Sequence, residues 1–138
     1  MNTSPLRLLA LLAASLLFVS FARADETSYA NVLKERDAVL SNILTMREAH
    51  FAVGGYDEEA VSSARLALWY FRRDTASTKA EKLKQQELIV AFYEKKLVAL
   101  QSRVASGLVG SEEVLLATDA HLQAQQLHEE FRLDGRKS

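Results

Sequence analysis

The chain reads as an all-α protein built from two tandem antiparallel helical hairpins, four helices packed in a coiled-coil-like manner. Three observations predict this. The only proline is Pro5, so beyond the first residues no pyrrolidine ring breaks a helix. Apolar side chains recur three and four residues apart through most of the sequence. Punctuation is left to five glycines, Gly54, Gly55, Gly107, Gly110 and Gly135, and glycine readily takes the left-handed conformation that ends helices.

The first helix is expected from about Ser28 to Val53. Val32, Leu33, Val39, Leu40, Ile43 and Met46 share one face at 100° per residue, with Lys34, Asp37, Ser41, Thr45 and Glu48 opposite. Arg36 and Arg47 fall toward the middle of the apolar face. Two roles fit them: stems covering apolar surface with the heads in water, or pairing with carboxylates of a neighbouring helix to set register. Gly54-Gly55 stops this helix.

Asp57 then has the character of an N-cap, and Glu58 and Glu59 suit the positive end of the helix dipole. The second helix carries Val61, Ala64, Leu68 and Phe71 at 3-4-3 spacing. Trp69-Tyr70-Phe71 cannot all face one seam, so part of this ring is expected to be exposed or covered by a partner. A break is expected near Asp74 to Ser77, because Thr78-Lys79-Ala80-Glu81 has the form of a capping box; one continuous helix is the alternative.

The third helix, about Lys79 to Ser106, has the clearest seam: Leu83, Gln86, Val90, Tyr93, Leu97, Leu100 and Val104. Leu88, Ile89, Phe92 and Ala99 form a second strip, which predicts packing against two neighbours. Gly107 ends it. Ser111-Glu112-Glu113 starts the fourth helix, and Leu115, Leu116, Leu122, Leu127 and Phe131 continue it to about Leu133. The last five residues, 134–138, read as a polar tail.

The N-terminus predicts export. Residues 1–24 have the form of a signal peptide: a short polar start with Arg7, an apolar run from Leu8, and Ala22-Arg23-Ala24 before Asp25. Cleavage after Ala24 leaves 114 of the 138 residues, about one domain. With Arg7 and Arg23 gone, 15 basic residues face 18 acidic ones, a net charge of −3. An acidic surface argues against nucleic-acid binding. The absence of cysteine excludes disulfides, thiolate metal sites and thiol catalysis. A periplasmic or secreted location is the expectation, with membrane association only through a partner.

Chemistry-bearing residues are few. His121 and His128 share a face but lie about 10 Å apart along a helix axis, too far for one ion, and His50 sits near a glycine turn. Asp57-Glu58-Glu59 and Glu112-Glu113 occupy first turns, where carboxylates favour the helix dipole. No catalytic, metal or cofactor site is expected, and no small-molecule substrate is identifiable.

Shifting the chain on itself by 53 residues pairs Ala52 with Ala105, Gly54 with Gly107, Glu59 with Glu112, Val61 with Val114, Ala64 with Ala117, and Ala67 with Ala120. Each unit is helix, glycine turn, helix, so the chain reads as a repeated αα-hairpin, about 28–73 and 78–133. Arg103, Gly107, Val114, Leu115, Ala117 and Leu122, echoed by His50, Phe51, Gly54, Val61 and Ala64, resemble the hairpin signature of TolC-type outer-membrane efflux proteins. Val104 stands where that signature has an aromatic residue, His50 where it has arginine, and Leu122 falls one position late. No ten-residue stretch alternates apolar and polar as a barrel strand requires, so the resemblance covers the periplasmic hairpins and no barrel. It implies that Val53, Gly54, Gly55, Ser106, Gly107 and Leu108 form partner-binding tips. The function expected is an exported, non-enzymatic structural or partner-binding helical protein, its partner a helical protein or a second copy. The alternative is a periplasmic sensor or chaperone-like helical bundle.

Overall fold

The computed structural model describes the backbone of residues 5–134 and the side chains of residues 26–134. Four helices account for the described chain: α1 (Pro5–Ala52), α2 (Glu58–Asp74), α3 (Lys79–Ala105) and α4 (Ser111–Leu133). The all-α, four-helix reading stands. The last four residues of the expected tail lie outside the described residues, as do the first four of the signal segment.

The breaks fall where side-chain chemistry places them. Asp57 accepts a hydrogen bond from the Ala60 amide (2.8 Å) and caps α2. At Thr78 the capping box is complete: its hydroxyl accepts from the Glu81 amide (3.2 Å) and the Glu81 carboxylate accepts from the Thr78 amide (3.3 Å). Each reciprocal bond satisfies a donor that a helix start would otherwise leave unpaired, so the break between α2 and α3 is specified locally. α1 begins well before Ser28; its backbone runs helical through the predicted cleavage site.

The chain divides into two units, Met1–Val39 and Leu40–Ser138. In the first, Tyr29, Val32 and Val39 are exposed. In the second, α2 lies between the Leu40–Ala52 stretch of α1 and α3. Its stripe of Val61, Ala64, Leu68 and Phe71 is buried throughout, as the 3-4-3 spacing predicts. Positions flanking that stripe reach α1. Arg47 Nη1 donates to the Ala60 carbonyl (2.8 Å), Arg65 pairs with Glu48 (2.6 Å), and Arg72 donates to Ser41 Oγ (3.0 Å). The opposite side of α2 meets α3, with Trp69 edge-on to Phe92 at 6.3 Å and Tyr70 hydroxyl to Tyr93 hydroxyl at 3.1 Å. Because α2 has neighbours on both sides, none of Trp69, Tyr70 and Phe71 is exposed, which answers the expectation of a bare aromatic ring.

α3 packs between α2 and α4, as its two apolar strips predict. Ile89 is its most buried apolar residue, at 1 %. Its second strip is only partly right: Leu88 and Ala99 are exposed. One helix turns a different face inward from the one expected. On α1, Ile43 and Met46 are exposed, while Leu40, Ser41, Leu44 and Arg47 are half-buried. The polar groups of α2 select that side, because Ser41 and Glu48 beside it answer Arg72 and Arg65. On α4, Leu115, Leu116 and Leu122 are exposed and Ala117 and Ala124 are buried. Small residues on that face leave room for side chains of α3 to reach the α4 backbone.

Candidate functional site

The two glycine turns have the same backbone. Gly54 has φ +78° and Gly107 φ +71°, values that only glycine adopts without strain. The Gly54 amide donates to the Phe51 carbonyl (2.9 Å) and the Gly55 amide to the His50 carbonyl (2.7 Å). Fifty-three residues on, the Gly107 amide donates to the Val104 carbonyl (2.9 Å) and the Leu108 amide to the Arg103 carbonyl (3.0 Å). These paired bonds satisfy carbonyls that a helix end leaves open. Equivalent positions in the repeat therefore play the same hydrogen-bonding part.

Both turns lie at one end of the helices. Glu58 and Glu59, which open α2, line the same cleft of about 270 Å³ as Leu100 and Arg103, which close α3. At this end Val53 is 82 % exposed and Leu108 71 %. Gly54, Gly55, Ser106 and Gly107 are exposed too, so all six residues that the resemblance implies lie on exposed turns at this end. His50 stacks at a tilt on Tyr56, 5.1 Å between ring centroids, and its carbonyl anchors the first turn.

The cleft beside the tips has an apolar floor at Phe92 and Leu100 and a charged rim. Lys96 meets Glu59 across it at 3.8 Å. These are exposed or half-exposed groups, and such pairs contribute little to stability.

A second place where functional groups converge went unread in the sequence. Gln86, a seam residue of α3, is 0 % exposed and donates to the Ala124 carbonyl of α4 (2.7 Å). It accepts from Arg73 Nη1 of α2 (3.1 Å). Arg73 also lies over the Tyr70 ring at 4.9 Å and pairs with Asp74 at 2.7 Å. Burial first, then the hydrogen bond to Tyr93, holds the Tyr70 phenol well above the ordinary tyrosine range. The polar Gln86 inside an apolar heptad was the available signal.

Arg47 takes neither of the roles expected of it, since it hydrogen-bonds a backbone carbonyl of α2; Arg36 is exposed. His128 lies 3.7 Å from Glu87 and 3.6 Å from Glu129. His121 Nε2 is buried without a hydrogen-bond partner. Among the described residues, no three or more His, Cys, Asp or Glu side chains gather as metal ligands would. No described helix is long and apolar enough to cross a membrane.

Comparison with known proteins gives no match: no family model, no curated protein and no solved structure resembles the chain closely enough to register.

Proposed function

We propose that this is an exported, non-enzymatic, partner-binding helical protein, cleaved after Ala24, whose glycine-turn end engages a helical partner. One observation carries the reading: two turns of matching backbone lie at one end of the helices and leave Val53 and Leu108 largely exposed to solvent. An exposed apolar side chain held on a hydrogen-bonded turn is what a docking tip requires. The resemblance of these segments to the hairpin tips of TolC-type efflux proteins supports a helical hairpin as the partner. The second reading, a chaperone-like bundle, draws on the exposed leucines of α4, Leu115, Leu116 and Leu122.

The two readings separate in one experiment. Leu108→Asp and Val53→Asp should abolish binding to a helical-hairpin partner and leave suppression of aggregation of an unfolded client unchanged. Leu115→Asp with Leu122→Asp should do the reverse if the chaperone reading holds. Export is checked on the same material: N-terminal sequencing of the envelope form should begin at Asp25, and an intact Met1 would refute cleavage.

A further inference from the structure

We propose that the junction of α2, α3 and α4 is a binding site for a small monocarboxylate of formate or acetate size. A pocket of about 90 Å³ lies there, lined by Tyr70 and Arg73 of α2, Gln86 and Tyr93 of α3, and Gln123 and Leu127 of α4 among others. That volume is well below the roughly 150 Å³ of a cavity that takes up benzene, so it suits a guest of a few heavy atoms better than an aromatic acid.

Hydrogen-bond supply at this junction exceeds demand. An arginine offers five N–H donors. Arg73 uses Nε and Nη2 on Asp74 and Nη1 on Gln86, which leaves one N–H on each terminal nitrogen. Tyr70 and Tyr93 together carry two hydroxyl hydrogens and share one hydrogen bond of 3.1 Å. Whichever phenol donates in that bond, the hydrogen of the other remains. Gln86 commits its amide to the Ala124 carbonyl. The surplus is led by donors, and it includes a planar guanidinium whose side chain is only 14 % exposed.

A guest complementary to this set presents acceptors to Arg73 and the phenol pair. Arginine's flat fork matches a carboxylate, and charge-assisted bonds of this kind are the strong ones. Asp74 already balances Arg73 from the exposed side, which disfavours a doubly charged phosphate or sulfate. Ile89, Ala120 and Leu127 supply apolar wall, suited to a methyl group. The site is separate from the tips, so its failure would leave the docking proposal intact.

The test is a titration of the folded full chain with sodium acetate, followed by the Arg73 Nε–H resonance and the tyrosine ring signals, with sodium chloride and sodium benzoate in parallel. Acetate should give a saturable shift in the millimolar range, chloride none, and benzoate none because of its size. Tyr70→Phe with Tyr93→Phe should weaken acetate at least about tenfold, the loss expected on removing a hydrogen bond to a charged group. A non-saturating acetate shift equal to that of chloride would show that the junction holds water alone and overturn the proposal. So would benzoate binding as well as acetate. The size series needs no variant, so the proposal stays testable even if the double variant does not fold.

Discussion

The two hairpins share a turn and differ in how their second helix is held. In the first, α2 buries large side chains, Val61, Leu68 and Phe71, and adds polar bonds at the edge of the stripe to Ser41, Arg47 and Glu48 of α1. In the second, α4 buries alanines, Ala117 and Ala124, and α3 reaches across to α4 backbone through Gln86 to Ala124 and Lys79 to the Arg132 carbonyl (3.0 Å). Phe71 and Ala124 are equivalent positions in the repeat. A large residue in one copy and a small one in the other means the copies kept the turn while their packing diverged. Leu115, Leu116 and Leu122 of α4 are consequently left outside.

The largest effect expected from this contrast is at the large-residue interface. Leu68→Ala should cost about 2–5 kcal/mol in urea unfolding, because it opens a cavity in a buried stripe. Leu115→Ala, at 69 % exposure, should stay within about 0.5 kcal/mol. Equal losses at both would break the comparison, since Leu115 would then be packed. At the small-residue interface the opposite substitution should hurt: Ala124→Leu should cost about 1–3 kcal/mol by overpacking and separate Gln86 from its carbonyl. Gln86→Leu tests the same contact by replacing a satisfied polar group.

Where the hairpins agree, so should the variants. Gly54→Val and Gly107→Val should each cost about 1–2 kcal/mol, the scale of forcing a side chain into left-handed backbone. A Cβ built at either position meets no heavy atom within 4 Å, so the loss is conformational and not a clash. A difference of several kcal/mol between the two would contradict the shared-turn account. The smallest effect is a pH dependence. The Tyr70 phenol ionises above its unfolded value, near 10, so the folded chain keeps the proton longer. That contribution is complete below pH 10 and is lost as pH rises beyond it. Tyr70→Phe should therefore flatten the decline in stability between pH 10 and 11.5.

Local signals in the sequence were legible because local chemistry decides them. Asp57, Thr78 with Glu81, Gly54 and Gly107 fix four boundaries through bonds within a few residues, and the structure places each where the residue types require. The α2 stripe was legible because Val61, Ala64, Leu68 and Phe71 recur at 3-4-3 spacing along one line of the helix. α1 and α4 were not, for the same physical reason in each: both carry more apolar surface than one neighbour can cover. The face turned inward then depends on the neighbour, whose arginines pulled α1 around to Ser41 and Glu48 and whose seam selected the alanines of α4. The polar junction at Gln86 joins three helices, and no pattern within one helix reveals which side chains of the others arrive there. The tip residues were found through resemblance, and the structure contributes their exposure and their common end.

The central claim, that the paired turns are docking tips, is tested most directly by site-specific photocrosslinking in intact cells, with a benzophenone side chain at position 53, 108 or, as an exposed control, 133. The account predicts one discrete adduct to a helical-hairpin protein from positions 53 and 108 and none from 133. It also predicts loss of the position-53 adduct in a Leu108→Asp background whose thermal melt is unchanged. Adducts of equal yield from all three positions, or a Leu108→Asp chain that melts several degrees lower, would contradict it.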